Sequence, residues 1–274
     1  MNRIINLIIV CFTVVLTSCE ENSKLSKDVN HQIEKESKSE LNKFSTTYSI
    51  GAKPDSISFM ANNTAVIVVD MQNDFGSKGG LLDFLSIDIS EVQKVVEPTK
   101  KVINASRKAE IPIIYFKMGY KADLSDLGSE NSINRIRKPY VGDTIIAPNG
   151  EISRIQIQDT WNTDIIDALK PHENDIIIEK TRYSGFYNTT LDSILKKKNI
   201  TNLVFTSCTT SICLESTVRD AMYRDYNSIV LEDCTVETIG SNLSRTNYEA
   251  SILNIQIMFG WISNSMEYVN ALRE

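Results

Sequence analysis

Short apolar runs bounded by polar or turn-forming residues recur along the chain from residue 64 onward. They are Thr64–Asp70 (TAVIVVD), Ile111–Phe116 (IPIIYF), Asp175–Ile178, Asn202–Thr206, Ser228–Leu231 and Ile255–Phe259. The first is a continuous β-branched run without polar alternation, the signature of a strand buried on both faces of a parallel sheet. Between the runs, residues 88–109, Asn188–Lys198, Ser211–Tyr226, 240–252 and 262–272 carry helical spacing. The pattern breaks once, over a polar stretch from about 118 to 160, which reads as a loop excursion over the rim of the sheet. Strands alternating with helices imply right-handed βαβ units. The expected fold is α/β: a three-layer, doubly wound, mostly parallel six-stranded sheet in one domain spanning residues 61–274.

The N-terminal residues follow another pattern. Arg3 precedes an apolar stretch of thirteen residues, Ile4 to Leu16, and the segment ends Leu16-Thr17-Ser18-Cys19. Thirteen residues are short for a membrane span, which takes about 20, and suit a signal-peptide core. The ending resembles a bacterial lipobox, in which cleavage precedes the cysteine and that cysteine is lipidated. Residues 1–19 are therefore expected to be a lipoprotein signal with Cys19 as the lipid attachment. This would place the protein in the bacterial cell envelope, held to the membrane by its anchor. Glu20–Lys43 contains six acidic and five basic residues, no aromatic and four large aliphatic side chains. Such a stretch cannot offset its ordering entropy by burial, so residues 20–60 are expected to be a charged tether.

Composition narrows the chemistry. The 274 residues carry a net charge of −6, opposite to the basic excess of a nucleic-acid binder. Only two histidines are present, His31 in the charged tether and His172 after Pro171. A multi-histidine metal site is thereby excluded within one chain, and an imidazole base has no promising position. No residue constellation implies a cofactor or a metal. The five cysteines, Cys11, Cys19, Cys208, Cys213 and Cys234, match neither a disulfide framework nor a zinc module.

In open α/β sheets ligands bind beyond the carboxyl ends of the strands. The first run ends in Asp70, followed by MQNDF; the third leads to Glu179-Lys180, followed by TRYSGF; the fourth leads to SCTTSIC, with Cys213 at the opening of a helix. Topology thus brings an acid, an ammonium and a thiol to one rim. Each has a plain structural reading too: a turn cap, a surface lysine, a buried apolar thiol. A free thiol has a pKa of about 8.5, and a helix N-terminus and a nearby ammonium both favour its anion. Lowering it by two units, worth about 2.7 kcal/mol, would make thiolate the main form. Asp70 can accept the thiol proton and pass it to a leaving amine, and backbone N–H groups of the 208–213 turn can receive an oxyanion. The implied chemistry is acyl transfer to water through a thioester.

Thr64–Phe75 (TAVIVVDMQNDF), Lys180–Phe186 (KTRYSGF) and Thr206–Asp220 (TSCTTSICLESTVRD) resemble the isochorismatase-like cysteine hydrolases. Longer stretches, KTRYSGFYNTTLDSIL, LVFTSCTTSICLESTVRDA, IVLEDCT and FGWISN, are most similar to the ureidoacrylate amidohydrolases within that superfamily. The likeness covers about residues 62–273. It implies the isochorismatase-like fold, a catalytic triad at Asp70, Lys180 and Cys213, and a cis peptide at Cys208-Thr209. It further implies oxyanion donors at the amides of Thr209 and Cys213, and substrate-lining side chains at Phe75, Tyr120 and Tyr183. The implied reaction is hydrolysis of a C–N bond in a small linear amide or ureido acid, with a ureidoacrylate-like substrate favoured.

Some positions depart from the pattern. Phe116-Lys117-Met118-Gly119-Tyr120 has no histidine, which argues against the metal-dependent nicotinamidases of the superfamily. Met118 and Tyr120 stand where ureidoacrylate enzymes tend to carry Asn and Trp. True isochorismatases lack the cysteine, so Cys213 argues against vinyl-ether hydrolysis. Cys208 replaces a usually small or aliphatic residue and is either apolar filler or, in an exported protein, a disulfide partner for Cys213. Cys234 is expected to be buried at the end of the fifth strand. Two alternatives stay open: a catalytically silent, lipid-anchored binding protein on the same fold, and a thiol-redox protein using Cys208 and Cys213. Members of the superfamily are commonly oligomeric, and Phe259-Gly260-Trp261 fits a core or a homo-oligomer interface.

Overall fold

A computed structural model describes residues 46–273. The expected signal segment, the lipidation residue Cys19 and the expected tether as far as residue 45 lie outside the described residues.

Six strands form one fully parallel sheet in the order β10-β9-β8-β3-β4-β7. They are β3 (Thr64–Val69), β4 (Ile113–Met118), β7 (Ile176–Lys180), β8 (Asn202–Cys208), β9 (Asn227–Val236) and β10 (Trp261–Ser263). Every residue of β3, β4 and β8 is buried, as the apolar runs require of strands covered on both faces. Successive side chains go to opposite layers. Val66 and Val68 join Tyr115 in one core with Val92, Val95, Val102 and Ile103 of helix α1 (Ser90–Lys108). Tyr268 and Val269 of helix α5 (Ser265–Ala271) complete that layer. Ala65, Ile67 and Val69 enter the opposite core, with Leu191 and Leu195 of α2 (Leu191–Lys197) and Val218 and Ala221 of α3 (Glu215–Met222). Helix α4 (Asn247–Asn254) packs there through Ile252. The three-layer architecture is the expected one.

Three details differ from the sequence reading. The sixth strand is Trp261–Ser263, whereas Ile255–Phe259 forms a wide helical turn continuing α4, with Ile257 and Met258 exposed. Gly260 ends that turn where a Cβ would lie 2.3 Å from the Ser228 carbonyl oxygen, so only glycine lets the chain pass against β9 and start pairing. The second difference lies before residue 61. Strands β1 (Thr47–Ile50) and β2 (Ile57–Met60) make an antiparallel hairpin with Ile50, Ile57 and Phe59 in the α1/α5 core. Lys53 and Ile262 exchange backbone hydrogen bonds at 2.8 and 3.0 Å, which fastens the hairpin to β10. The folded unit therefore includes Thr47–Met60, residues expected to be tether. The third concerns the polar stretch after β4. It carries a small antiparallel hairpin, β5 (Thr144–Ile146) with β6 (Ile152–Arg154), and a helical turn Ile133–Ile136. Tyr120 bonds Gln156 O and Gln158 N through its backbone at 2.8 and 2.9 Å, closing the excursion into a flap over the rim. Among the described residues, no helix is long and apolar enough to cross a membrane.

Candidate active site

Asp70 follows directly on β3 and takes a left-handed backbone, φ 54°. For a residue with a Cβ this conformation is uncommon and concentrates at functional sites. Its N–H donates to Phe116 O at 3.1 Å, extending the β3–β4 ladder by one residue. Lys180 is the last residue of β7, two strands away from β3, because β4 lies between. Two strand spacings are roughly 10 Å, so only a long side chain closes that gap. Its Nζ passes Met118 Sδ at 3.7 Å and lies 2.8 Å from Asp70 Oδ2 and 3.4 Å from Cys213 Sγ. A further hydrogen bond runs from Nζ to Arg182 O at 3.3 Å.

Cys213 stands in a wide helical turn, Thr210–Leu214, between β8 and α3. Such turns recur at functional sites. Neighbouring strands and loops anchor it. The Thr210 and Thr235 hydroxyls share a 2.8 Å hydrogen bond, Ser211 N donates to Glu237 Oε2 at 2.7 Å, and Thr217 Oγ1 donates to Cys213 O at 2.7 Å. The Cys208-Thr209 peptide before the turn is cis, as the family resemblance implies.

Burial governs the protonation of the cluster. Asp70 and Lys180 have fully buried side chains. Desolvation raises the Asp70 carboxyl, partly countered by the Lys180 charge and by hydrogen bonds from the Cys213 thiol and Lys180. Burial works against the charge on Lys180, but Asp70 and Cys213 outweigh it and hold the ammonium above its usual range. The Cys213 thiol is pushed up to about 12, first by burial and then by the Asp70 charge, against the pull of Lys180. Burial thus pushes this thiol in the opposite direction from the lowering that a helix start and a nearby ammonium would favour.

A cavity of about 230 Å³ opens onto Cys213, lined by Phe75, Met118, Lys138, Tyr183 and Thr209 among others. Phe75, Tyr183, Thr209 and Cys213 lie on the cavity wall. Tyr120 does not: it is fully buried behind the lining. Its hydroxyl accepts hydrogen bonds from Lys138 Nζ at 2.6 Å and Asn134 Nδ2 at 3.3 Å, because the flap folds its polar residues over the ring. Lys138 escaped the sequence reading altogether; it sits in the aperiodic polar stretch, where no spacing marks it. Gln72, next to the acid's strand, was also passed over. It clamps the end of β4, donating to Met118 O at 3.0 Å and accepting from Met118 N at 2.7 Å. Cys208, Cys213 and Cys234 are free and buried. Among the described residues, no group of three His, Cys, Asp or Glu side chains is arranged to hold a metal ion.

Comparison with known proteins places this geometry in a family. Residues 64–267 match the isochorismatase domain. The chain is 37% identical over 231 residues to the ureidoacrylate amidohydrolase RutB of Acinetobacter baylyi, with 81% of this chain and 89% of that protein covered. It is 38% identical over 221 residues to the RutB of Methylorubrum extorquens, covering 81% and 87%. Among solved structures, a cysteine hydrolase from Pseudomonas syringae pv. phaseolicola superposes with a TM-score of 0.67 at 27% identity, covering 78% of this chain and 94% of that one. The N-carbamoylsarcosine amidase of Thermoplasma acidophilum does so with a TM-score of 0.55 at 25% identity, covering 74% and 96%. With the domain match spanning most of the folded unit, the chain belongs to the isochorismatase family, among its cysteine hydrolases.

Proposed function

We propose that the protein is a cysteine amidohydrolase that cleaves a non-peptide C–N bond in a small linear amide or ureido acid, with a ureidoacrylate-like compound as the favoured substrate. The observation that carries this reading is the buried cluster in which Lys180 Nζ touches both Asp70 at 2.8 Å and Cys213 at 3.4 Å, at the wall of a small cavity. A relative named for ureidoacrylate hydrolysis at 37% identity supports the substrate class.

In the proposed sequence, Cys213 Sγ attacks the carbonyl carbon as Asp70 takes the thiol proton. A proton held on sulfur until attack suits a thiol whose acidity burial has weakened, since transfer then coincides with bond formation. The amides of Thr209 and Cys213 receive the developing oxyanion. Protonated Asp70 gives its proton to the departing nitrogen, the C–N bond breaks, and a thioester or thiocarbamate remains on Cys213. Water activated by Asp70 then releases the acid and restores the thiol. Lys180 favours the ionised form of Asp70 before attack and holds the side chain in place.

The test is ammonia release from linear amides and ureido acids, ureidoacrylate included, comparing the wild type with Cys213→Ala. The expected outcome is turnover that falls at least about 10³-fold in the variant while its fold is retained. Equal turnover by the two proteins would overturn the assignment.

A further inference from the structure

The cavity wall carries charge of one sign. Arg137 and Lys138 line it, and no aspartate or glutamate does. Asp70 lies behind Cys213 and is already matched by Lys180. Most of the remaining lining is apolar, with Phe75, Leu81, Leu82, Met118 and Ile212 prominent. Arg137 is exposed at the rim, whereas Lys138 is only 5% exposed.

Lys138 is an unusual buried cation. Its Nζ donates to two neutral oxygens, Tyr120 Oη at 2.6 Å and Asn134 Oδ1 at 2.8 Å. It lies 4.6 Å from the centre of the Tyr183 ring and 5.3 Å from that of Tyr120. Among the described residues, no carboxylate approaches within 4.0 Å of it. Buried charges are ordinarily paired, and an ammonium has three donors, so one N–H remains for a ligand. Its surroundings explain why it stays in position without a counterion: two oxygens fix two N–H groups and the ring faces offer cation–π attraction.

Resting on the hydrolase reading of this cavity, we propose that Lys138 is its carboxylate-reading residue, so that the enzyme selects linear C–N substrates bearing an acid group at the end away from the scissile bond. An incoming carboxylate supplies the missing counter-charge and accepts the free N–H against a largely apolar wall, where such a pair is stronger than in open water. Burial also brings Lys138 down to about 8, a cost that a bound anion relieves. A neutral substrate would leave the ammonium unmatched and bind less well.

The experiment compares ureidoacrylate with its methyl ester in the wild type, Lys138→Met, Lys138→Gln and Lys138→Arg. The expected result is a strong wild-type preference for the acid. In the Met and Gln variants the acid-to-ester ratio of kcat/KM falls at least tenfold, mainly through KM, and in the Arg variant it is largely kept. A parallel loss for acid and ester would show that Lys138 only supports the fold and would overturn the proposal. A second arm does not depend on turnover. Thermal stabilisation of Cys213→Ala by 3-ureidopropionate, and by its methyl ester, is compared with that of Cys213→Ala/Lys138→Met. Stabilisation by the acid that disappears with Lys138 supports the proposal; stabilisation unchanged, or absent from both proteins, overturns it. Should the wild type hydrolyse neither compound, the hydrolase reading fails for this class, and the binding arm still decides the role of Lys138.

Discussion

Cys213, Asp70 and Lys180 behave as one titrating unit, because each sets the charge its neighbours can bear. A thiol pushed up to about 12 supplies almost no resting thiolate near neutrality. Alkylation of Cys213 by iodoacetamide is therefore expected to keep rising with pH through 8 and 9. A rate already level between pH 6 and 8 would mean a preformed thiolate and would sink the concerted transfer to Asp70. Removing the ammonium has a different consequence. Lys180→Met leaves the Asp70 carboxylate buried without its partner, a change that typically costs 3–5 kcal/mol at neutral pH. Both loss of turnover and a stability deficit are expected, with the deficit shrinking toward pH 4 as Asp70 takes up a proton. Urea unfolding at pH 4 and 7 checks this; an equal deficit at both would show that the charge is not its source. The three residues were legible in the sequence because strand ends are where an α/β sheet exposes reactive groups. Lys138 was not, since an isolated lysine in a polar stretch carries no periodic signal and its meaning comes only from what folds around it.

Elements were readable to the extent that burial filled them. Strands β3, β4 and β8 stand in the middle of the sheet, so both faces had to be apolar and their runs are continuous. Edge elements lack that redundancy. At Ile255–Phe259 an apolar run belongs to a helical turn that buries Ile255 and exposes Ile257 and Met258, and Gly260 at its end passes closely by Ser228 before β10 begins. The β1–β2 hairpin was missed because its strands are four residues long and bury only alternate side chains. Phe59 nonetheless stacks on Tyr268 with ring centres 5.7 Å apart and planes 19° apart. Phe59→Ala is expected to cost about 3–5 kcal/mol, a fall in melting temperature on the order of 10 °C. A shift under about 2 °C would mean that the hairpin lies outside the cooperative unit.

At the scale of the molecule, Asp74 joins the strand-end rim to the flap that completes the cavity. Its carboxylate accepts from Leu81 N at 3.2 Å, Asn162 Nδ2 at 2.6 Å and Gln156 N at 2.9 Å. These partners reach 88 residues along the chain, so one buried side chain ties the DMQNDF segment to Leu81 and to the stretch that follows β6. Burial raises Asp74 to about 7 despite those three donors. The unfolded carboxyl titrates near 4, so between about pH 4 and 7 the native state holds a proton that the unfolded chain has released. Stability from this group is thus fully present below pH 4 and is lost as pH rises through 7. Asp74→Asn removes the titration and aims an N–H₂ at a site already full of donors, so the flap loosens and KM rises. The wild-type advantage over this variant in unfolding free energy is expected to shrink by up to a few kcal/mol between pH 5 and 8. Taking that difference cancels the contributions of other buried carboxyls such as Asp70 and Glu179, which are also raised. If the two stability curves run parallel across that window, Asp74 is ionised throughout in the native state. The three donors would then outweigh its burial, and the flap would be held by a charge rather than by a shared proton.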